Sequence, residues 1–220
     1  MALGLREQRK HETRQRISDT ATLLFIEHGF EQVTISQVAE AAGVAKMTVT
    51  NYFPRKEDML FDRAESIELQ LADVITHRGA AEGWLAAIRR DYLDMVARAD
   101  VTLGLSSPQF AIMVNTSPVL TSRALEMLAR REQALGDALA AETGTDTPLQ
   151  RLIAAQLAAV HHVLYAEASR RSVAGESREA ICAVLAVEAE RAFALLEPSL
   201  GGYGVGERDS DRGAECNGLS

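Results

Sequence analysis

Apolar positions recur at helical spacing along nearly the whole chain, and no segment alternates as a half-buried strand would. Ile17, Ala21, Leu24 and Phe25 predict a first helix over about 11–28, with Gly29 as its stop. Thr34 stands three residues before Gln37, the spacing of a capping box, and opens a short helix whose Ile35, Val38, Ala39 and Ala42 face one way up to Gly43. Val49 and Phe53 mark one face of a third short helix, which Pro54 breaks. Two short helices around a glycine-bearing turn, the second closed by a proline, have the layout of a helix-turn-helix.

The pattern continues beyond this corner. A helix over about 58–76 carries Met59, Leu60, Ile67, Leu71 and Ile75, and another over about 81–98 carries Trp84, Leu85, Ile88, Tyr92 and Val96. Ser107-Pro108 and Ser117-Pro118 each suit a helix start, the second opening a long helix over about 119–142. Thr147 and Pro148 cap and begin the next, and the last runs from about Ser177 to a stop before Pro198. From Ser199 the chain has no period and little to bury, so 199–220 is expected to be disordered. The fold class expected is all-α: a three-helix head with a helix-turn-helix over 1–61, then a larger helical domain over 62–198.

Charge changes this picture. The net charge is −8, which argues against a polyanionic partner until its distribution is considered. Residues 1–63 hold nine basic and nine acidic side chains, and the first sixteen hold five basic to two acidic, so the acidity lies in the rest of the chain. Cys182 and Cys216 lack the spacing of a zinc site, and no metal or cofactor is expected. Met1 to Arg16 has no apolar run suited to a signal peptide, and no stretch reaches the roughly 18 uncharged apolar residues of a membrane span. A soluble, cytoplasmic chain with no membrane partner is expected.

With Val49 and Phe53 inward, Lys46, Met47, Thr48, Thr50, Asn51 and Tyr52 are left wholly or partly outward on the third helix. A helix fits the major groove, where Lys donates to guanine, Asn pairs with adenine, and Thr or Met meets a thymine methyl. Lys46, Met47, Thr48, Thr50 and Asn51 are therefore candidate base contacts. Tyr52 and Lys56, at and past the helix end, suit phosphates, as does Thr34 at the start of the second helix. Lys10, Arg14 and Arg16 are further candidates for DNA backbone or minor-groove contacts.

The stretch Arg16 to Leu60, "RISDTATLLFIEHGFEQVTISQVAEAAGVAKMTVTNYFPRKEDML", resembles the DNA-binding domain of the TetR family of bacterial transcriptional repressors. The matching features are "FIEHGFEQVTI", "VAEAAGV" and the closing "YFPRKEDML". The resemblance implies a homodimer, each head on one half of a palindromic double-stranded operator, with Lys46, Thr48, Thr50 and Asn51 toward bases and Thr34, Tyr52 and Lys56 toward phosphates. Ala45 stands where many members cap the reading helix with Ser, Thr50 where many have Tyr, and Met47 where a small residue is usual.

The remainder is similar to that family's ligand-receiving helical domain, whose last two helices pair with their twins. Gln156, Val160, Leu164, Ile181, Leu185, Glu188 and Ala192 are the candidate dimer contacts, with intrachain packing as the competing reading. Trp84, Tyr92, Phe110, Met113, His161 and Tyr165 are large, partly polar side chains on apolar helices and form the candidate pocket for a small, largely apolar effector. His161 and His162 are adjacent, hence about 100° apart on a helix, and cannot both face one site. No His-Glu-x-x-His, Cys-x-x-Cys or nucleophile-elbow pattern occurs, and "GGYGVG" follows no strand, so catalysis is not expected. The competing reading is a helical DNA-binding regulator without a small-molecule ligand, constitutive or controlled by a protein partner; a large cavity in the second domain would favour the sensor.

Overall fold

Thr34 and Gln37 form the capping box that their spacing predicts: Thr34 Oγ1 accepts from the Gln37 N–H at 3.3 Å, and Gln37 Oε1 accepts from the Thr34 N–H at 2.8 Å. The computed structural model describes residues 4–205. It sets α1 (Leu5–His28), α2 (Ile35–Ala41) and α3 (Lys46–Tyr52) into a three-helix head, and no strand occurs among the described residues. Gly43 makes the α2–α3 turn at φ 66°, a left-handed conformation that a side chain would strain, while Val44 N–H returns to the Ala39 carbonyl at 2.9 Å. The first helix starts at Leu5, earlier than expected. Its polar run is rich in good helix formers and laced by side-chain bonds Gln8 to Glu12 (3.1 Å) and Gln15 to Asp19 (2.9 Å).

The single helix expected over 58–76 is instead a 3-10 turn, Glu57–Met59, followed by α4 (Ala64–His77). Ser18 Oγ donates to the Met59 carbonyl at 2.8 Å and Arg14 Nη2 to the Asp62 carbonyl at 3.3 Å, so backbone acceptors that a continuing helix would use are taken by α1. Met59 and Leu60 are buried in the head.

Four side-chain caps start the later helices where the sequence places them. Ser107 precedes α6 (Pro108–Thr116), Ser117 precedes α7 (Pro118–Thr143), Thr147 precedes α8 (Pro148–Val173) and Ser177 precedes α9 (Arg178–Leu200). With α5 (Trp84–Ala97), these form the body: α4 lies along α7, α5 along α9, and α8 touches both α7 and α9. Its core includes Leu71, Ile88, Tyr92, Leu135, Leu157, Leu185 and Phe193. The head core of Ile17, Phe25, Val38, Val49 and Phe53 also takes in Val114 from α6 and Leu120 from α7. Head and body are thus interlocked, not joined by a linker alone.

The C-terminal expectation needs correction. The last helix continues through Pro198 to Leu200, with the proline exposed in its final turn, where water can satisfy the carbonyl that loses a donor. The stretch Ser199 to Val205, expected to be disordered, is packed. Tyr203 stacks on Trp84 (centroids 6.1 Å, 18° between planes), its carbonyl accepts the Trp84 N–H at 3.1 Å, and Arg78 Nη2 reaches the Gly204 carbonyl at 3.1 Å. Residues 206–220 of the expected tail, with Cys216, lie outside the described residues.

Candidate functional site

The helix α3 buries Val49 and leaves Lys46, Met47 and Asn51 exposed, with Thr48, Thr50 and Tyr52 half-buried. Thr50 Oγ1 donates to its own helix at the Met47 carbonyl, 3.1 Å. Ala45 supplies no side-chain cap, so the start of this helix lacks a bond that α2 and α8 have. The far end is held from outside. Arg14 Nη1 donates to the Tyr52 carbonyl at 2.8 Å, and its guanidinium lies 4.3 Å from the Phe53 ring centroid. Arg14 is therefore turned inward, while Lys10 and Arg16 are exposed.

Lys56 is placed differently from a free phosphate contact. Its Nζ donates to the Phe30 carbonyl and sits 4.4 Å from the Phe30 ring centroid and 5.5 Å from that of Phe25. Burial holds its ammonium below the usual lysine range. Thr34 is exposed, with its hydroxyl engaged by Gln37.

Charged side chains bind head to body. Asp58 accepts from Arg123 Nε on α7 at 3.1 Å and from Arg55 Nη2 at 3.3 Å, while Arg55 Nη1 reaches Glu126 Oε2 at 3.0 Å. Arg123 is buried and also meets Glu68 Oε1 of α4 at 3.3 Å. Ser117 Oγ donates to Glu31 Oε1 of the head at 2.9 Å.

Beside this junction lies an apolar cavity of about 380 Å³. Ile26, Leu60 and Phe61 line it from the head side, and Leu105, Phe110 and Met127 from the body. Arg131 of α7 enters the lining with Nε donating to the Ile67 carbonyl at 3.0 Å and Nη2 to Gln70 Oε1 at 3.1 Å. Burial pulls its guanidinium down to about 10. Burial likewise raises the Tyr165 phenol and the Asp62 carboxyl, both in the lining.

The six candidate pocket residues fall in different surroundings. Phe110 and Tyr165 line the cavity, and Met113 packs against the head core. Tyr92 and His161 meet edge to face in the body core (centroids 4.9 Å, 88°), and neither Tyr92 Oη nor His161 Nε2 has a hydrogen-bond partner there. Burial keeps His161 neutral, its pKa lowered to about 3, and raises the Tyr92 phenol. His162 is exposed. Trp84 lines a separate cleft with Tyr203, Arg78 and Glu142. Sequence reasoning missed Arg123 and Arg131. Their signal was present: both fall in the buried stripe Leu120, Arg123, Met127, Arg131, Leu135, Leu139 at helical period.

The candidate dimer contacts also divide. Val160, Leu164, Ile181 and Leu185 are buried within one chain, so they are corrected to intrachain core; Gln156, Glu188 and Ala192 are half-buried. The outward face of the same two helices carries Leu152 (54% exposed), Val163 (64%), Val187 (52%) and Leu195 (80%).

A family model described as bacterial regulatory proteins, tetR family, matches residues 17–62. The HTH-type transcriptional regulator TcmR of Streptomyces glaucescens is 28% identical over 148 residues, 65% of this chain and 66% of that protein. The HTH-type transcriptional repressor AcnR of Corynebacterium glutamicum is 30% identical over 70 residues, 32% of this chain and 37% of that protein. The chain therefore spans less than two thirds of the length of these curated relatives. A solved structure of SmeT in complex with triclosan shares the fold at a TM-score of 0.56 and 17% identity, covering 95% of this chain and 99% of that one.

Proposed function

Because the chain belongs to the TetR family of bacterial transcriptional regulators, we propose that it is a repressor that binds a palindromic operator as a homodimer and is released by a small, largely apolar effector. The exposed Lys46, Met47 and Asn51, with Thr48 and Thr50 beside them, support sequence reading by α3. Repression follows if an operator-bound dimer occludes polymerase. The outward apolar side chains of α8 and α9 support pairing of two copies, because a single chain would leave Leu195 and Val163 in water. No described helix is long and apolar enough to cross a membrane, and the reading puts the protein in the cytoplasm with its operator. It assigns no catalytic role.

One observation carries the effector half of the reading: the cavity takes its walls from both head and body. A molecule there touches Leu60 and Phe61, on the segment that leads from α3 to α4. Release requires the ligand to prefer a head arrangement that misfits successive half-sites, since equal affinity for both arrangements shifts nothing. The cavity, with the SmeT fold holding triclosan in its own case, favours this sensor over constitutive binding by a solid body. The test is a thermal-shift screen of small metabolites and drug-like compounds, followed by operator affinity with each hit at fixed salt. A stabilising compound that seats in the cavity is expected to weaken operator binding roughly 5- to 150-fold. Cavity-bound compounds that leave operator affinity unchanged would refute release.

A further inference from the structure

A buried cation needs a counterion or a complete set of hydrogen-bond acceptors, because an uncompensated charge in an apolar setting is costly. Arg123, which shares the buried stripe of α7 with Arg131, meets this requirement with Asp58 and Glu68. Arg131 does not. It is 6% exposed, and its acceptors are the Ile67 carbonyl through Nε and Gln70 Oε1 through Nη2. Both are neutral. The carboxylate behind them, Asp91, acts on Arg131 through space without forming an ion pair with it, and is itself bonded by Gln70 Nε2 at 2.8 Å. The hydrogen bonds of Arg131 run from Nε and Nη2, so Nη1, on a side chain that lines the cavity, is left for a further acceptor.

The surroundings favour an anion brought from outside. Tyr165 shares the lining and its phenol is close enough to feel the Arg131 charge, so its O–H is a second donor in reach of the same region. Asp62 is the one carboxylate in the lining, and Arg63 offsets it, so Arg131 leaves the lining with a net positive charge within a chain of net charge −8. Most of the remaining wall is apolar, with Ile26, Leu60, Leu105, Phe110, Met127 and Leu128 offering an apolar body area to bury, while Thr102, Ser106 and Ser107 add neutral hydroxyls. From this juxtaposition we infer that the effector is a monoanionic amphiphile: an acid group bonded to Arg131 Nη1 and Tyr165 Oη, and a ring system or short acyl chain packed on Phe110 and Leu105.

The inference rests on the reading of this cavity as the effector site, and the experiment separates the two. Binding to the free dimer is measured by calorimetry for two matched pairs, 2-naphthoate with 2-naphthamide and decanoate with decanamide; operator affinity is then measured separately. At least one carboxylate is expected to bind roughly 10- to 100-fold more tightly than its amide, the worth of hydrogen bonds to a charged group. Arg131→Gln is expected to bring the carboxylate-to-amide affinity ratio close to one, and Tyr165→Phe, which keeps the fold's packing, to reduce it. Equal affinity within both pairs, binding of neither member, or a preference that survives in folded Arg131→Gln would each overturn the anion assignment. Should Arg131→Gln fail to fold, the Tyr165→Phe result and the wild-type pair ratio decide. A carboxylate that binds through Arg131 without changing operator affinity would uphold this site and refute release; an amide that binds and releases the operator would do the reverse.

Discussion

Arg14 Nη1 donates to the Tyr52 carbonyl at 2.8 Å, so a side chain of the first helix closes the last turn of the reading helix. The same guanidinium reaches the Asp62 carbonyl at 3.3 Å through Nη2. One residue therefore spans from α3 to the wall of the cavity, since Asp62 is part of that lining. Under the proposed effector mechanism, a displacement of residues 60–63 would reach the end of α3 through Arg14.

Replacing Arg14 with Met keeps the stem over Phe53 and removes both carbonyl bonds. A loss of about 1–3 kcal/mol in stability is expected, measured by urea unfolding, since hydrogen bonds to charged groups lie in that range. Operator affinity should fall with it. Unchanged stability together with weaker DNA binding would mean that Arg14 contacts DNA and not Tyr52.

Asn51 and Lys56 should respond differently. Asn51 is exposed on α3, and Asn51→Ala is expected to weaken the preferred site by about 1–3 kcal/mol more than unrelated DNA. Lys56 is bonded to the Phe30 carbonyl and lies over two rings, so Lys56→Met is expected to lower head stability by about 1–2 kcal/mol. Thermal melts and salt-dependent affinities separate the two; a reduced salt slope with unchanged stability for Lys56→Met would restore its reading as a phosphate contact.

Pairing through α8 and α9 predicts twice the chain mass by sedimentation at micromolar concentration. Val163→Glu with Leu195→Glu, both on the outward face, should give a folded monomer. Leu185→Ala, in the core, should instead cost about 2–5 kcal/mol in stability. A dimer that persists in the double variant would remove this face from the interface.

His161 sets a pH dependence. Its pKa is lowered from 6.5 to about 3 by burial, with Arg131 adding repulsion, and Tyr92 is the titratable ring packed against it. Above 6.5 both folded and unfolded chains carry it neutral. As pH falls below that value the unfolded chain takes up a proton that the folded one refuses, so stability is lost on acidification at up to about 1.4 kcal/mol per pH unit. Chemical denaturation from pH 7 to about pH 5 should show this loss in wild type and a flatter profile in His161→Phe. Parallel profiles would show that His161 titrates in the fold as it does in water.

The parts of this structure legible in sequence are those decided locally. Thr34 with Gln37, Gly43, and the Ser-Pro and Thr-Pro pairs before α6, α7 and α8 set helix ends through bonds within three residues, and those ends lie where expected. What could not be read depends on contacts distant in sequence. Along α9, Ile181, Leu185, Val187 and Leu195 are all apolar, and only the packing of α5 and α8 decides that the first two are core and the last two outward. The segment 199–205 has no period of its own and is ordered by Trp84 and Arg78. The cavity draws on residues from Ile26 to Tyr165, so no window of sequence contains it.

The most direct test of operator binding by this chain is selection of random duplex DNA by the purified protein, followed by sequencing. Enrichment of one inverted repeat is expected, with half-sites spaced for two heads on one face of the duplex and with preference at positions that Asn51→Ala relaxes. Enrichment of no palindromic sequence, with binding that follows salt alone, would contradict it.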